Sequence, residues 1–325
     1  MSFLILKLSR TLAELSTLLV VLSCVTPARA QTDRAVITHN SESITIAPIV
    51  YGIEKGFYRN EGINLEFRFL RSDLAAAAIS GGEIDYMISA GTAFRAAVRG
   101  LPLKIVAYSF KQPLFYLLAQ PTITSIKELK GKKIAVSSPQ DTGGLAAKVA
   151  IQTAGLDPER DVTYISIGAA SVRFAAMEVG SVEAAIMPVP WNSRMRQKGF
   201  RELIFAGGLM PQPMTGIVTG ALRLEKNPDQ VKRVLRAYLR SLRAFRQEKQ
   251  EAVRFIAGRF SLDAETAEDV YKVVLQTMSE DGTMGNAVLE RYLDDVKKEP
   301  GAKKTIALSD IVDYRFLREV TSSAR

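Results

Sequence analysis

Two stretches of the chain show the same order of apolar and polar positions. Residues 63–70 and 162–167 each alternate apolar and polar side chains, as a β-strand does. Each strand is followed by a short polar turn and then by a helix that ends at a glycine, Gly82 or Gly180. In both places the glycine is followed by one residue, an aliphatic residue, an acid and a further strand. Because the whole order occurs twice, the sequence predicts two lobes of similar build.

Each repeat is preceded by one more strand and helix, at 36–55 and 133–154. Strands that alternate with helices predict parallel strands joined by right-handed crossovers. Two strand-like segments, 104–109 and 114–119, are expected to carry the chain from the first lobe to the second. A short apolar strand at 216–219 is expected to carry it back.

We therefore predict an α/β fold of two Rossmann-like lobes joined by two crossing strands, with a helical C-terminal region. The first lobe is expected to contain residues 31–112 and 213–325, and the second lobe residues 113–212. In the helical region, apolar residues between Val231 and Phe245 form one stripe, and lysines and arginines occupy the other faces. Such a charged face favours the exposed side of a packing helix over nucleic-acid or membrane binding.

The first 30 residues differ in character from the rest. A short basic start leads into an apolar run at 12–25, which is too short for a stable membrane anchor. Ala28-Arg29-Ala30 offers the small residues of a signal-peptidase site, so residues 1–30 are predicted to be a signal peptide that is cleaved after Ala30. Cys24 follows a segment that loosely resembles a lipoprotein processing site, and lipid attachment there is the alternative.

The composition limits the kinds of ligand and of chemical site that the chain is expected to have. The full chain has a formal net charge of +9, and +7 remains without the first 30 residues, which hold three basic residues and one acid. A positive balance favours an anionic ligand in a general way. Cys24 is the only cysteine and His39 the only histidine, so disulfides, a metal site and a cofactor are not expected. No nucleophile-elbow pattern accompanies His39, and we predict that the protein is not an enzyme.

Ligands bind α/β sheets beyond the carboxyl ends of the strands, so the polar turns that follow the strands are candidate binding loops. In the first lobe the candidates are Ser41, Glu42, Ser43, Arg71, Ser89, Gly91, Thr92 and Tyr108. In the second lobe they are Ser137, Ser138, Asp141, Thr142, Gly143, Gly144, Arg173, Met187, Pro188 and Trp191.

Several candidates have a second interpretation. Gly143 and Gly144 bring backbone amides to a helix start, which favours an anion, but Asp141 can cap that helix itself. Arg71 or Arg173 can grip a carboxylate, sulfonate or phosphate, or can lie on the surface.

Three further candidates also have two interpretations each. Trp191, the only tryptophan, can stack on a ligand or pack between the lobes. Glu42 favours a cationic ligand, so the sequence leaves the charge of the ligand open. Tyr108 can contact the ligand or pack at the crossing.

Six segments, spread over the chain after residue 30, match one known family in order and spacing. They are residues 51–63, 81–86, 125–136, 154–158, 225–228 and 312–317. The chain resembles the sulfonate-, taurine- and nitrate-type substrate-binding proteins of ABC importers, which are related to thiamine-pyrimidine precursor binders.

This resemblance implies a periplasmic binding protein type II fold and a monomer in the periplasm. Such a protein captures a small molecule between its lobes and delivers it to a membrane-embedded ABC permease with its ATPase, without a role for nucleic acid. One alternative is a ligand sensor for a membrane receptor, and another is the effector domain of a transcription regulator, which would need a DNA-binding helix pair in place of a signal peptide. A third is an enzyme of the thiamine-pyrimidine type, whose histidine and cysteine-rich segment have no counterpart here.

Overall fold

The structure is a computed structural model and describes residues 32–210 and 212–322. The predicted signal peptide, its cleavage site and Cys24 lie outside these residues. The described strands are β1 (Asp33–His39), β2 (Ile63–Phe69), β3 (Tyr86–Met87), β4 (Leu103–Phe110), β5 (Phe115–Ala119), β6 (Lys133–Val136), β7 (Thr163–Ser166), β8 (Ala184–Pro188), β9 (Arg201–Phe205) and β10 (Thr215–Gly220).

The ten strands form two five-stranded sheets with corresponding orders. The first sheet has the order β2-β1-β3-β10-β4, and the second has the order β7-β6-β8-β5-β9. In each, the first three strands are parallel, with β1 pairing with β2 and β3, and β6 pairing with β7 and β8. The predicted α/β fold of two similar lobes is thus confirmed.

The fourth strand of each sheet differs from the parallel arrangement that the alternating pattern predicted. Both β10 and β5 run antiparallel to both of their neighbours. The reason is topological, because each of these strands enters its sheet directly from a crossing segment, without a crossover helix. The chain crosses after β4 and returns after β9, so each lobe receives its fourth strand from a crossing. The lobe boundaries at 112 and 213 remain a prediction.

The helices follow the predicted pattern. Those before the crossing back are Ala47–Glu54, Phe57–Asn60, Ser72–Gly81, Ala90–Val98, Thr142–Thr153, Ala170–Glu178 and Trp191–Gln197. The glycines that end the two repeated helices, Gly82 and Gly180, have φ angles of 81° and 68°. These angles lie in the left-handed region that glycine adopts without a Cβ clash, which explains why the same residue stands at both places.

The C-terminal region is helical, as predicted, with helices at Ala221–Lys226, Pro228–Gln247, Lys249–Phe260, Ala264–Thr277, Asn286–Val296 and Arg315–Ser322. On the helix Pro228–Gln247 the apolar stripe is buried, from Val231 to Phe245. The basic face of this helix contacts other parts of the chain: Arg233 pairs with Asp33, and Arg236 pairs with Glu61 at 2.8 Å. Arg240 and Arg243 of this face are exposed, as predicted, whereas Arg233 and Arg236 join the helix to other parts of the first lobe. Within the described residues, no helix combines the length and apolar character that crossing a bilayer requires.

Candidate ligand-binding cleft

The polar turns of the two lobes meet at one small cavity of about 20 Å³. The first lobe contributes His39, Asn40, Ser72, Ser89, Thr92, Met214 and Thr215, and the second contributes Phe115, Asp141, Thr142 and Gly143. These residues follow the carboxyl ends of the parallel strands or begin the antiparallel strands beside them. In this conformation the cavity has room for little more than one water, so a larger ligand enters only when the lobes move apart. We call this cavity and its lining the cleft.

A chain of hydroxyl groups and one imidazole lines the first-lobe side. Ser72 Oγ donates to Ser89 Oγ at 2.7 Å, and Ser89 Oγ lies 3.0 Å from His39 Nδ1. The other imidazole nitrogen, Nε2, lies 3.4 Å from Thr45 Oγ1, which in turn contacts Ser43 Oγ at 2.7 Å. Because Ser72 donates to Ser89, the Ser89 proton is free for Nδ1. In the tautomer that carries the imidazole proton on Nε2, Ser89 donates to Nδ1.

His39 is uncharged at neutral pH. Burial lowers the pKa of its imidazole to about 3, since transfer of the charged form out of water is unfavourable. Neither ring nitrogen contacts a carboxylate among the residues that the structure describes. The pair of Ser89 and His39 therefore lacks both the orienting acid and the basicity of a catalytic serine–histidine pair. This arrangement is suited to hydrogen bonding with a ligand.

Asp141 caps the helix Thr142–Thr153 on the second-lobe side. Its Oδ1 accepts from the Gly144 backbone N–H at 2.9 Å, and its Oδ2 accepts from Ser137 Oγ. Oδ2 also lies 3.4 Å from Nδ2 of Asn40 in the first lobe, so this carboxylate joins the two sides of the cleft. The capping interpretation of Asp141 is confirmed by this geometry.

The lobes approach each other closely at Gly91. A Cβ atom at this position would lie 2.6 Å from the Pro213 carbonyl oxygen and 2.7 Å from Thr142 Oγ1 of the other lobe. Gly91 itself donates a backbone hydrogen bond to the Met214 carbonyl at 3.1 Å. Glycine is therefore required here by space, because any side chain would separate the helix start from the crossing segment and from the second lobe.

Other hydrogen bonds hold the lobes together around the cleft. Trp191 Nε1 donates to the Glu42 carbonyl at 2.9 Å, and the Ile44 backbone N–H donates to the Val189 carbonyl at 2.7 Å. Arg95 of the first lobe is buried, and its Nη2 lies 3.4 Å from the Gln140 carbonyl of the second. Trp191 thus packs between the lobes, one of its two predicted roles, and it does not line the cavity.

Neither arginine that the sequence proposed for an anion lines the cavity. Arg71 is exposed and pairs with Asp73 at 2.6 Å. Arg173 is 1% exposed, and it donates from Nε to the Ile186 carbonyl at 3.0 Å and from Nη1 to the Gly168 carbonyl. Burial lowers the pKa of Arg173 to about 10, and the charge of Asp141 partly opposes this shift, so the guanidinium stays protonated at neutral pH. It binds the carbonyl of a residue within β8 and that of the turn after β7, inside the second lobe.

The remaining candidates divide into neighbours of the cleft and residues placed elsewhere. Gly91, Ser137 and Gly144 contact lining residues, as described above, and Ser43 contacts Thr45, which in turn contacts His39. Ser41 and Ser138 are buried in the adjoining turns, and Glu42 directs its carboxylate to Arg259 at 3.3 Å. Tyr108 is buried among first-lobe residues, with its ring 6.3 Å from that of Tyr314, and Met187 and Pro188 are buried within β8.

Sequence reasoning missed part of the lining. His39, Asn40 and Ser72 follow parallel strands, so the strand-end rule indicated their turns without choosing them. Phe115, Met214 and Thr215 belong to the antiparallel strands β5 and β10 or the turn before one. Their amino ends reach the cleft, and the rule for carboxyl ends does not indicate them.

Within residues 32–210 and 212–322, no group of three or more histidine, cysteine, aspartate or glutamate residues is placed to hold a metal ion. A larger cavity, with a volume of about 690 Å³, lies elsewhere on the first lobe, between Lys104, Glu290 and Arg318. It is an open groove between helices of the C-terminal region. The cleft is smaller, yet it is the place where polar turns of both lobes converge.

Comparison with known proteins gives a family and a fold. Residues 43–252 match the sequence profile of the family described as NMT1/THI5 like, which is more than half of the chain. No curated protein sequence matches the chain significantly. A solved structure from Bordetella bronchiseptica RB50 superposes with a TM-score of 0.77 at 16% identity, over 90% of this chain and 98% of that one.

Two similar structures have names that state what they bind. The alkanesulfonate-binding protein SsuA of Xanthomonas axonopodis pv. citri, bound to MOPS, has a TM-score of 0.70 at 16% identity, over 86% of this chain and 98% of its own. The nitrate-binding protein NrtA of Synechocystis PCC 6803 has a TM-score of 0.71 at 17% identity, over 90% of this chain and 89% of its own. The similar structures are mostly solute-binding proteins, and the enzyme DszB is also among them. At these identities the likeness shows the fold.

Proposed function

The chain belongs to the NMT1/THI5-like family, and we propose that it is an exported solute-binding protein that captures a small organic molecule between its lobes. We propose further that it delivers this molecule to an ABC importer, and that it performs no chemistry on it. The similar solute-binding structures support the first role. A similar structure from Staphylococcus aureus is named as the ligand-binding component of an ABC-type import system, which supports the second.

The observation that carries the proposal is the convergence of both lobes on one polar cavity. Hydroxyl groups of Ser89, Thr92 and Thr142 lie in a place that the opening and closing of two lobes would expose and enclose. Thr215 Oγ1 lines the same cavity, is buried and has no hydrogen-bond partner within the described residues. A buried hydroxyl without a partner is unfavourable, and a ligand that bonded to it would remove that cost.

The binding role is tested by thermal unfolding against a panel of small molecules, followed by calorimetric titration of those that raise the melting temperature. Thr215→Val removes the unpartnered hydroxyl from the cleft and nearly keeps its shape. Thr38→Val is the matched control, because Thr38 Oγ1 is also buried and unpartnered in the described structure but does not line the cavity. We expect Thr215→Val to weaken binding about tenfold and Thr38→Val to leave affinity unchanged. Equal affinities in the two variants would contradict the assignment of the cleft.

Export is tested by expressing the full chain with its N-terminus intact in a bacterium with two membranes. We expect the periplasmic fraction to contain a product that begins at Gln31, as N-terminal sequencing would show. Full-length protein confined to the cytoplasm would refute this part of the proposal.

A further inference from the structure

We infer that the cleft selects an uncharged or amine-bearing ligand that donates hydrogen bonds, and that it discriminates against anions. The inference rests on the proposed binding function and gives that function a ligand class. The positive net charge and the two arginines of the sequence had favoured an anionic ligand, and the inference departs from that expectation.

The charges around the cleft do not favour an anion. Of the described residues that line the cavity, none is lysine or arginine, and Asp141 is the only carboxylate residue. Asp141 is 3% exposed, so its negative charge is poorly screened by water. An anion in the same cavity would lie beside a desolvated carboxylate, and none of the described lining residues would offer it a cation.

The buried cations nearby already have partners. Arg173 binds two backbone carbonyls, and its positive charge is opposed by that of Asp141. Arg95 donates from Nη1 to the Tyr292 hydroxyl at 2.7 Å and directs Nη2 toward the Gln140 carbonyl. Neither guanidinium lines the cavity, so neither offers an anion a two-point contact.

A carboxylate of the protein already occupies the helix start. At the N-terminus of the helix Thr142–Thr153, Asp141 accepts from the Gly144 backbone N–H. The partial positive charge of the helix end is thereby partly matched by the protein itself. A ligand anion at this helix end would lie beside the Asp141 carboxylate.

The hydrogen-bonding groups of the cleft that have no partner suit a ligand that donates hydrogen bonds. A carboxylate has about four acceptor positions, and Asp141 uses three, toward Gly144, Ser137 and Asn40. The fourth can accept from an amine, amide or hydroxyl group of a ligand. Thr215 Oγ1, without a partner among the described residues, can donate or accept beside it. A ligand with both donors and acceptors would satisfy these groups together.

The experiment compares matched probes that differ in charge. Two sets are pyridine-3-sulfonate, nicotinamide and 3-(aminomethyl)pyridine, and ethanesulfonate, propionamide and propylamine, titrated by calorimetry at pH 7. Asp141→Asn removes the charge and keeps a good capping residue. Asp263→Asn is the matched control, since Asp263 caps the helix Ala264–Thr277 through Thr266 N–H in the same way, away from the cleft.

We expect the amide or amine of a set to bind at least about tenfold more tightly than the sulfonate. Asp141→Asn should weaken the amine and strengthen the sulfonate by about tenfold each, and Asp263→Asn should change neither. A sulfonate that binds most tightly to the native protein, or an Asp141→Asn variant with unchanged preferences, would overturn the inference and leave the binding function standing. If no probe of any charge binds here and no compound binds in the wider panel, the proposed function itself fails.

Discussion

Replacement of Gly91 by alanine tests the closeness of the two lobes. Gly91 is the second residue of the helix Ala90–Val98, where alanine is ordinarily the more favourable residue by about 0.5–1 kcal/mol. The added Cβ would lie 2.6 Å from the Pro213 carbonyl oxygen and 2.7 Å from Thr142 Oγ1. The hydroxyl of Thr142 can rotate away, but the Pro213 carbonyl belongs to the backbone. The helix start must therefore move.

The magnitude follows from the cost of overpacking. Insertion of a methyl group into a closely packed site costs about 1–3 kcal/mol. The clash with Pro213 lies within the first lobe and its crossing segment, so the part of this cost that it causes lowers the free energy of unfolding. In the proposed binding cycle the clash with Thr142 exists only when the lobes are closed, so the part that it causes lowers ligand affinity. If most of the cost opposes closure, affinity decreases about 5- to 100-fold.

Three measurements separate these shares. Denaturant unfolding gives the stability of the variant, calorimetric titration gives its affinity, and small-angle scattering with saturating ligand shows whether the lobes still close. Gly258→Ala is the control, because Gly258 lies within the helix Lys249–Phe260 and a Cβ there has no heavy atom within 4 Å. It should stabilise the protein by about 0.5–1 kcal/mol. If Gly91→Ala behaved as Gly258→Ala does, the close approach of the lobes at Gly91 would be refuted.

Three further predictions follow from single contacts. Trp191→Phe removes the hydrogen bond to the Glu42 carbonyl and keeps an aromatic ring beside Phe174. Ligand affinity measured by titration should therefore decrease about 2- to 10-fold, and an unchanged affinity would show that this bond does not stabilise closure. The unfolded His39 imidazole binds a proton below about pH 6.5, but the folded one binds a proton only near pH 3. The free energy of unfolding should therefore fall with decreasing pH, by about 2 kcal/mol at pH 5 relative to His39→Gln in denaturant unfolding. Parallel pH profiles of the two proteins would contradict the burial of a neutral imidazole. Gly144→Ala places a Cβ 2.2 Å from the Ser138 carbonyl oxygen, so the free energy of unfolding should fall by about 2–3 kcal/mol, whereas Gly81→Ala, with open space around it, should lack this loss.

Much of the fold was predictable because it depends on local patterns. The alternation at 63–70, the polar turn after it and the glycine at 82 are set by neighbours in the chain, and the second lobe repeats them. The strand-end rule then identified Ser89, Thr92 and the segment from Asp141 to Gly143, which do line the cleft. These positions follow from the direction of parallel strands, which a sequence pattern reveals.

The directions of long side chains were not predictable in the same way. Arg173 follows a strand as Arg71 does, yet one is buried against carbonyls and the other is exposed, because the backbone groups that surround each are brought there by distant segments. The contribution of Thr215 depends on an antiparallel strand that returns from the other lobe. Local periodicity carries no information on such pairings.

The position of β10 within the first sheet also has a consequence for the order in which the chain can fold. The chain emerges with its N-terminus first, and all five strands of the second sheet have emerged once Phe205 has, so that lobe can form as a continuous segment. The first sheet must wait, because β4 pairs with β10 as its only strand neighbour among the described strands. Until residues 215–220 emerge, β4 and β3 present unpaired edges, which are open to pairing with other chains. The second lobe is therefore expected to fold first, and the first lobe, which holds the start of the chain, is completed after it.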